Sequence, residues 1–259
     1  MRIALLSDIH GNSIALDAVL EDIQQQGGVD AYWILGDLAA IGHDPVGVLE
    51  RVSQLPEARL VRGNTDRFLV TGGLPVAMEE CEANPALWPA CVEIASSFAW
   101  TQGAVTASGW MEWLAELPLE FRTVLPDGTR VLCVHASPGR DDGLSMHPGT
   151  SQEELQSMAA ESQADLLCVG HTHWPMDLTV DGVHLLNAGS VSNPFPPDLR
   201  ASYVMLEANE AGYHVQHRRV PYDREAVARE LRRVNHPAAK YIIRHMRGEN
   251  HPHWRRTRQ

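Results

Sequence analysis

The first third of the chain repeats one unit three times: a short apolar segment, a polar tip and a helical segment. The apolar segments span residues 2–7, 31–35 and 59–61. Their length and composition are typical of buried strands. Three such units in succession indicate βαβ connections and therefore a largely parallel sheet. In sheets of this kind, ligands bind beyond the carboxyl ends of the strands.

The polar tips carry side chains that bind metal ions, and similar tips follow two later strand-like segments, 129–134 and 165–169. The side chains that share this place at a strand end are Asp8, His10, Asp37, Asn64, His135, His171 and His173. His171 and His173 are two residues apart, so both rings point into one pocket if the chain stays extended. Gly170, just before them, lets backbone or ligand approach closely. Taken singly, each of the seven could be an ordinary loop residue.

Together the seven side chains predict a metal centre. A mixed set of imidazole, carboxylate and amide ligands suits Mn, Fe or Zn better than Mg or Ca. Seven ligands are too many for one open catalytic site, but they suit two ions about 3.5–4 Å apart that share a carboxylate. The shared carboxylate should come from a central strand, which favours Asp37. We therefore predict two divalent transition-metal ions as cofactors.

The motifs in these tips resemble the signature of the calcineurin-like metallophosphoesterase superfamily. The segments that carry the resemblance are Asp8-x-His10-Gly11-Asn12, Gly36-Asp37, Gly63-Asn64-x-Asp66, His135 and Gly170-His171-x-His173. Residues 36–42 and 187–191 are similar to the small bacterial YfcE-like phosphodiesterase branch. The resemblance covers residues 1 to about 222 and implies an α/β fold, a four-layer α/β/β/α sandwich of two mixed sheets flanked by helices.

The resemblance also implies how the ligands divide between the two ions. Asp8, His10, Asp37 and His173 would hold one ion, and Asp37, Asn64, His135 and His171 would hold the other. In a two-metal site of this kind, a hydroxide that bridges the ions attacks phosphorus in line. The resemblance thus implies a dinuclear phosphohydrolase, a phosphodiesterase that acts on a small phosphoester.

One position departs from the family pattern. Many relatives carry a histidine after the asparagine of Gly63-Asn64, where it assists the leaving group, but this chain has Thr65. A threonine is no general acid near neutral pH, although its hydroxyl can bind a phosphate oxygen. His43 is a candidate replacement, with a solvent-facing loop histidine as the alternative. Asn12 and Asp66 are predicted to orient the ligands, and Asp66 alternatively caps the helix after it.

The departure at Thr65 leaves a second function class open: a weakly active metal-binding scaffold or regulatory protein with the same fold. The complete ligand set favours the enzyme. We reject a third function, that of a Ser/Thr protein phosphatase. At the places of that family's motifs, this chain has residues 41–44 and Gly-Asn-Thr-Asp. Residues 1–217 hold 9 basic and 29 acidic side chains, so we expect no nucleic-acid partner.

The rest of the chain is predicted to be helical at two places. Residues 72–120 form an insertion with helices near 86–102 and 104–116. Its tryptophans indicate the core of a helical hairpin, a ligand pocket or a homodimer surface. Residues 223–259 form a C-terminal helical tail, which belongs to a segment, 218–259, with 12 basic and 4 acidic side chains. We interpret its charge as a solvated face that compensates the acidic body, and a contact with a partner is the alternative.

The composition predicts a cytoplasmic protein with no membrane association. No apolar run approaches the roughly 20 residues of a membrane helix, and the N-terminus lacks the layout of a signal peptide. Cys133 and Cys168 lie in strand-like segments and are predicted to be buried thiols. A disulfide between Cys81 and Cys91 is not expected in a reducing compartment.

Overall fold

Two five-stranded sheets form the centre of the protein in this computed structural model, which describes residues 1–75 and 78–249. The strands are β1 (Arg2–Leu6), β2 (Ala31–Ile34), β3 (Ala58–Leu60), β4 (Glu120–Val124), β5 (Arg130–Val134), β6 (Leu166–Val169), β7 (Met176–Val180), β8 (Val183–Asn187), β9 (Ala201–Asn209) and β10 (Gly212–Val220). The first sheet has the order β10-β9-β1-β2-β3, and the second has β4-β5-β6-β8-β7. Strands β1, β2 and β3 are parallel to one another, as are β5, β6 and β8.

Helices cover the outer faces of both sheets. They are α1 (Ser13–Gln25), α2 (Pro45–Ser53), α3 (Asn64–Thr71), α4 (Met78–Ala83), α5 (Trp88–Ala107), α6 (Met111–Ala115), α7 (Gln152–Ser162), α8 (Arg224–Arg233) and α9 (Ala239–Met246). Side chains cap the first turns of several of them. Asp44 caps α2 by accepting the Gly47 N–H at 3.0 Å, and Ser151 forms a capping box with Glu154 at the start of α7.

Three buried apolar clusters show the layers of the sandwich. Between the sheets, Ile3 and Leu5 of β1 pack with Cys133 and Cys168 of the second sheet. The opposite face of β1 packs on α1, α2 and α5. The outer face of the second sheet packs on α7. Successive strand residues point to opposite faces of a sheet. Since one face packs on the other sheet and the opposite face packs on helices, both faces of the central strands are buried. The predicted four-layer α/β/β/α sandwich is confirmed.

The helical insertion differs from its prediction in the boundary between its two helices, since the second, α6, begins only at Met111, and in an additional helix, α4. The sequence placed a break near residue 103, yet α5 runs without interruption from Trp88 to Ala107. A glycine within a helix costs only about 1 kcal/mol relative to alanine, and α5 buries Phe98 and Val105 on either side of Gly103. Trp110 and Trp113 pack edge to face and support the first apolar cluster. These two tryptophans are therefore core residues, and the homodimer surface stays a prediction.

The prediction about Cys81 and Cys91 is wrong, because the two residues form a disulfide. A 3₁₀ turn at Pro85–Leu87 folds α4 back on α5 and brings the two Cα atoms to 6.6 Å, within the span of about 4.4–6.8 Å that a disulfide requires. The prediction rested on redox compartment and not on geometry. Cys133 and Cys168 are buried free thiols, as predicted. The cytoplasmic location stays a prediction that cysteine usage no longer supports.

The C-terminal helices pack on the body of the protein. Val227 and Leu231 of α8 and Ile242 and Met246 of α9 form a fourth apolar cluster, against which Ile41 packs. The predicted solvated face is present on their outer sides, but each helix also buries an apolar side. Residues 250–259 of the predicted tail lie outside the described residues.

Across the two described ranges, no helix combines the length and the hydropathy needed to cross a bilayer.

Candidate metal centre

The seven predicted ligands come together where the carboxyl ends of the two sheets meet. They arrive from the ends of β1, β2, β5 and β6 and from the first turn of α3. Within the described residues, two groups of potential ligand atoms lie within 4.8 Å of one another: Asp8 with His10 and His173, and Asp8 with Asp37 and His135. The structure thus places in one region the residues that the sequence predicted to share a site.

The first side of the site holds Asp8, His10 and His173. The Asp8 Oδ1 atom lies 3.2 Å from the Nε2 atom of His173 and 3.8 Å from that of His10. The two Nε2 atoms lie 3.1 Å apart. All three side chains face one small volume.

The second side holds Asn64, His135 and His171. The Asn64 Oδ1 atom lies 3.1 Å from His135 Nε2 and 3.2 Å from His171 Nδ1. His171 and His173 therefore serve different sides of the site, although they are neighbours in the chain.

Asp37 lies between the two sides. Its Oδ1 atom is 3.5 Å from His135 Nε2, and its Oδ2 atom is 3.7 Å from His10 Nε2. The backbone N–H of Thr65 donates to Oδ1 at 2.9 Å and fixes the orientation of the carboxylate. One carboxylate oxygen of Asp37 thus faces each side of the site.

Backbone carbonyls hold three of the four imidazole rings. The Nδ1–H groups of His10 and His173 donate to Ala40 O at 3.1 Å and Asn193 O at 2.9 Å, and that of His135 donates to Leu35 O. Because a carbonyl can only accept, the proton of each neutral ring is on Nδ1 and the Nε2 lone pair faces the site. Such outer contacts orient histidine ligands in metal sites.

This arrangement fits metal ions. The lone pairs of His10 Nε2 and His173 Nε2 face each other at 3.1 Å, which is repulsive unless a cation or a proton lies between them. Asp8 Oδ1 is fully buried and accepts no hydrogen bond from any described residue. A buried carboxylate oxygen without a partner is costly. Nitrogen and oxygen donors of this kind match Mn, Fe or Zn.

Asp66 supports the backbone around Asp37. Its carboxylate accepts backbone N–H groups from Asp37, Leu38 and Gly63, each at 2.9 Å. Burial and the charge of Asp37 raise the pKa of Asp66 to about 7. The bond from Gly63 also caps α3, so both interpretations of Asp66 agree with the structure. A Cβ atom on Gly63 would lie 2.1 Å from Asp37 Oδ1, so this approach requires glycine.

Asn12 is connected to the predicted ligands indirectly, through Ser192. Its side chain accepts the Ala15 N–H at 3.0 Å and so caps α1, and it donates to Ser192 Oγ at 3.1 Å. The backbone N–H of Ser192 in turn donates to the Asp8 carbonyl at 3.2 Å. Asn12 therefore fixes the loop around Asp8 and not a ligand side chain directly.

At five of the predicted ligands the backbone is not extended, in contrast to the conformation that the sequence analysis considered for His171 and His173. Asp8, His10, Asp37, His171 and His173 all have positive φ, between 49° and 67°. Residues other than glycine rarely adopt this left-handed conformation, and such strain concentrates at functional sites. Each ligand therefore leaves its strand through a sharp turn. At Gly170 a Cβ atom would lie 1.8 Å from Ser7 Oγ, so the close approach is made by a side chain and not by the backbone or ligand that the sequence predicted.

The structure does not bring His43 to the metal centre. Its Nε2 atom lies 3.3 Å from Ser13 Oγ, on the side of α1 that faces α8. Burial lowers the pKa of His43, and the charged groups that act on it are Asp44, Glu230 and two arginines, none of them in the centre. Sequence proximity to Asp37 was the only signal for His43, and the loop turns its side chain away from the centre. The alternative of a solvent-facing histidine is wrong as well, because the side chain is buried.

Thr65 is at the centre, next to Asn64, and its Oγ1 atom is buried without a hydrogen-bond partner among the described residues. Two arginines in or near the loops of the centre, Arg67 and Arg140, are placed unfavourably for contact with a phosphate. Arg67 is bonded to Asp141 at 3.0 Å and to Asp142 at 3.2 Å. Arg140 lies in an exposed loop.

The sequence profile of the calcineurin-like phosphoesterase superfamily domain matches residues 1–211, most of the chain. The chain belongs to this superfamily. The resemblance of its motifs is confirmed, and this calcineurin-like phosphoesterase is a metal-dependent phosphoester hydrolase.

The chain is also similar to solved and curated proteins. A crystal structure of a metallophosphoesterase from Sphaerobacter thermophilus aligns with a TM-score of 0.73 and 27% identity, over 96% of this chain and 99% of that one. A protein of Methanocaldococcus jannaschii is 27% identical over 238 residues, 85% of this chain and 88% of the relative. The phosphoesterase YfcE of E. coli also aligns, with a TM-score of 0.48 and 21% identity, over 85% of this chain and 100% of YfcE.

Metal uptake by this phosphoesterase should release protons. Burial alone would lower the pKa of His135, but the charge of Asp37 outweighs it and raises the pKa to about 10. The ring is therefore protonated at pH 7.5 without metal and must lose that proton to become a ligand. We expect release of about one proton or more per chain, and an affinity for Mn²⁺ that falls as pH falls from 9 to 6. Calorimetric titration in buffers of different ionisation enthalpy measures both, and release that is unchanged in His135→Gln would contradict the expectation.

Proposed function

We propose that this calcineurin-like phosphoesterase is a dinuclear-metal phosphodiesterase, with one ion at Asp8, His10 and His173, one at Asn64, His135 and His171, and Asp37 between them. The observation that supports the proposal most is the orientation of Asp37. Its two carboxylate oxygens face His10 and His135 on opposite sides of the site. A single ion would leave one of these two sides without a cation.

The bound ions would supply a water of lowered pKa and would neutralise charge on the phosphoryl oxygens. The chain contributes orientation. Thr65 N–H and the N–H groups bonded to Asp66 hold the loops around Asp37. The backbone N–H of His171 donates to Asp8 Oδ2 at 3.0 Å, which leaves Asp8 Oδ1 directed at its histidines. Burial and the charge of His135 lower the pKa of His171 to about 4. This ring is therefore uncharged at neutral pH and can offer a lone pair to a metal ion.

The charge around the site favours a diester over a monoester. A monoester brings two negative charges to the site near neutral pH, whereas a diester brings one. Arg62 and Arg67, the basic residues on either side of Asn64 in the chain, are both committed to Asp141, at 2.8 and 3.0 Å. They are not free to neutralise a second phosphate charge.

The proposal is tested with two substrates that share a leaving group. We expect Mn-loaded protein to cleave bis(4-nitrophenyl) phosphate with a kcat/KM at least about tenfold above that for 4-nitrophenyl phosphate, a difference of about 1.4 kcal/mol. Chelator-treated protein is the control and should cleave neither. A higher kcat/KM for the monoester would contradict the phosphodiesterase assignment.

The end of the chain should be dispensable for this activity. Helix α9 ends at Met246, and none of the proposed ligands lies beyond His173. Removing residues 248–259 should therefore leave kcat/KM for bis(4-nitrophenyl) phosphate unchanged, because charged termini are usually solvated. Loss of activity by a truncated protein that keeps its metal content and unfolding temperature would show that these residues take part in function.

A further inference from the structure

A cavity of about 230 Å³ lies beside the metal centre. We name it the Thr65 cavity. Its lining includes Ile41, Thr65, Ile94, Ser97, Phe98 and Tyr241. Whole small-molecule sites usually have about 300–1,000 Å³. The Thr65 cavity is therefore of a size for one part of a substrate and not for a whole one.

The lining of the Thr65 cavity is mainly apolar, with two unsatisfied hydroxyl groups. Ile41, Ile94 and Phe98 supply aliphatic and aromatic surface. The Oγ atoms of Thr65 and Ser97 are buried and have no hydrogen-bond partner among the described residues. Thr65 is 4% exposed and Ser97 1%. A buried hydroxyl without a partner is costly, and a ligand atom that bonds to it removes that cost.

Thr65 joins the cavity to the metal centre. The backbone N–H of Thr65 donates to Asp37 Oδ1 at 2.9 Å, and the preceding residue is Asn64. Thr65 is also one of the residues that line the cavity. A substrate whose phosphate lies at Asp37 would therefore have one of its organic groups within reach of the cavity.

Helix α9 closes the cavity from the other side. Tyr241 lines it, and one turn later His245 packs against the Tyr241 ring and lies 6.2 Å from the ring of Phe195. Phe195 in turn stacks on His173 of the metal centre, with ring centroids 5.9 Å apart. One face of α9 thus extends from the cavity to the first side of the centre, since residues four apart lie on one face of a helix.

The position of α9 is tied to the helical insertion. Arg244 forms an ion pair with Glu93 of α5 at 3.0 Å, and Trp100 of α5 packs edge to face on His236 before α9. The insertion and the C-terminal helices therefore build the cavity together, although they are far apart in the sequence.

We propose that the Thr65 cavity receives one organic group of the phosphodiester and so determines substrate specificity, an inference that rests on the function proposed above. The group that fits is a single, mainly apolar ring with a polar atom able to bond with Thr65 or Ser97. Tyr241 and Ser97 are specificity-determining residues, and neither touches the reacting phosphate.

The test fills the cavity without touching the metal centre. Ser97→Leu places an aliphatic side chain in the cavity, and Ser97→Ala removes only the hydroxyl. Lys240→Ala, at an exposed position of α9, is the control. Ser97→Leu should raise KM for bis(4-nitrophenyl) phosphate at least about tenfold, the effect expected for a group excluded from an apolar pocket. Its metal content should stay that of the wild type.

Binding of 4-nitrophenol to chelator-treated protein gives a readout that needs no catalysis. Ser97→Leu should weaken this binding at least about tenfold, whereas Lys240→Ala should not change it. Tyr241→Ala, which removes one wall, should weaken it as well and replaces Ser97→Leu if that variant does not fold.

The outcomes separate this inference from the proposed function. Wild-type binding of 4-nitrophenol by folded Ser97→Leu, with an unchanged KM, would overturn the role of the cavity even if the protein is a phosphodiesterase. Weakened binding would support the cavity even if the wild type prefers monoesters, in which case the diester assignment alone fails.

Discussion

Replacing Asp37 with alanine should remove metal from both sides of the centre and lower kcat/KM on the order of 10³-fold or more. The reason is that each carboxylate oxygen of Asp37 faces a different histidine, His10 on one side and His135 on the other. Both ions would lose a ligand and a negative charge at once. Elemental analysis and the kinetics of bis(4-nitrophenyl) phosphate cleavage measure the two effects.

Two further variants show whether the loss is specific. Asp37→Asn keeps the shape of the side chain and one carbonyl oxygen, so it should retain more metal than the alanine variant while activity stays low. Asp17→Ala is the control, because Asp17 forms an exposed ion pair with Arg51, of a kind worth little. Activity of Asp37→Ala within a few-fold of wild type would show that another residue bridges the ions.

Replacing Asp66 with alanine should lower the free energy of unfolding by about 3 kcal/mol or more. Three buried backbone N–H groups, those of Asp37, Leu38 and Gly63, would lose their acceptor. An unsatisfied buried donor costs about 1–3 kcal/mol. Urea denaturation of chelator-treated protein measures the change, since bound metal would add its own stabilisation to the folded state.

An asparagine at position 66 refines this expectation. Its amide oxygen can still accept, but its nitrogen cannot, so one or two of the three bonds would be lost. Asp66→Asn should therefore lie between wild type and Asp66→Ala in stability. A loss below about 1 kcal/mol in Asp66→Ala would mean that water replaces the carboxylate, and that Asp66 does not hold the Asp37 loop.

The sequence predicted the sheets well because burial on both faces gives continuous apolar segments. β1, β2 and β6 were found within one or two residues for this reason. β7 was missed, although Met176, Leu178 and Val180 alternate with polar residues and a turn at Asp181-Gly182 follows, which is a hairpin signal. As an edge strand, β7 is buried only in part, so its apolar signal is weak.

The residues of the centre could be predicted, but not the way in which the backbone presents them. Their place at strand ends follows from parallel-sheet topology. The left-handed conformation of His171 and His173 could not be predicted from the sequence. A glycine suggests that a positive φ is possible at its position, whereas a histidine does not. The extended geometry expected for this pair is therefore wrong, and the two rings serve different sides of the site.

The contribution of α9 to the Thr65 cavity could not be predicted from the sequence either. Tyr241 and His245 are four residues apart, which indicates a shared helix face. Nothing in the sequence says which surface that face covers. Only the packing of the C-terminal helices on the insertion brings Tyr241 to the cavity and His245 to Phe195.

Anomalous diffraction from crystals grown with Mn²⁺ tests the central claim most directly. We expect two peaks per chain, about 3.5–4 Å apart. One should lie among Asp8, His10 and His173, the other should lie among Asn64, His135 and His171, and Asp37 should contact both. A single peak in protein with full activity, or two peaks of which only one contacts Asp37, would contradict the account.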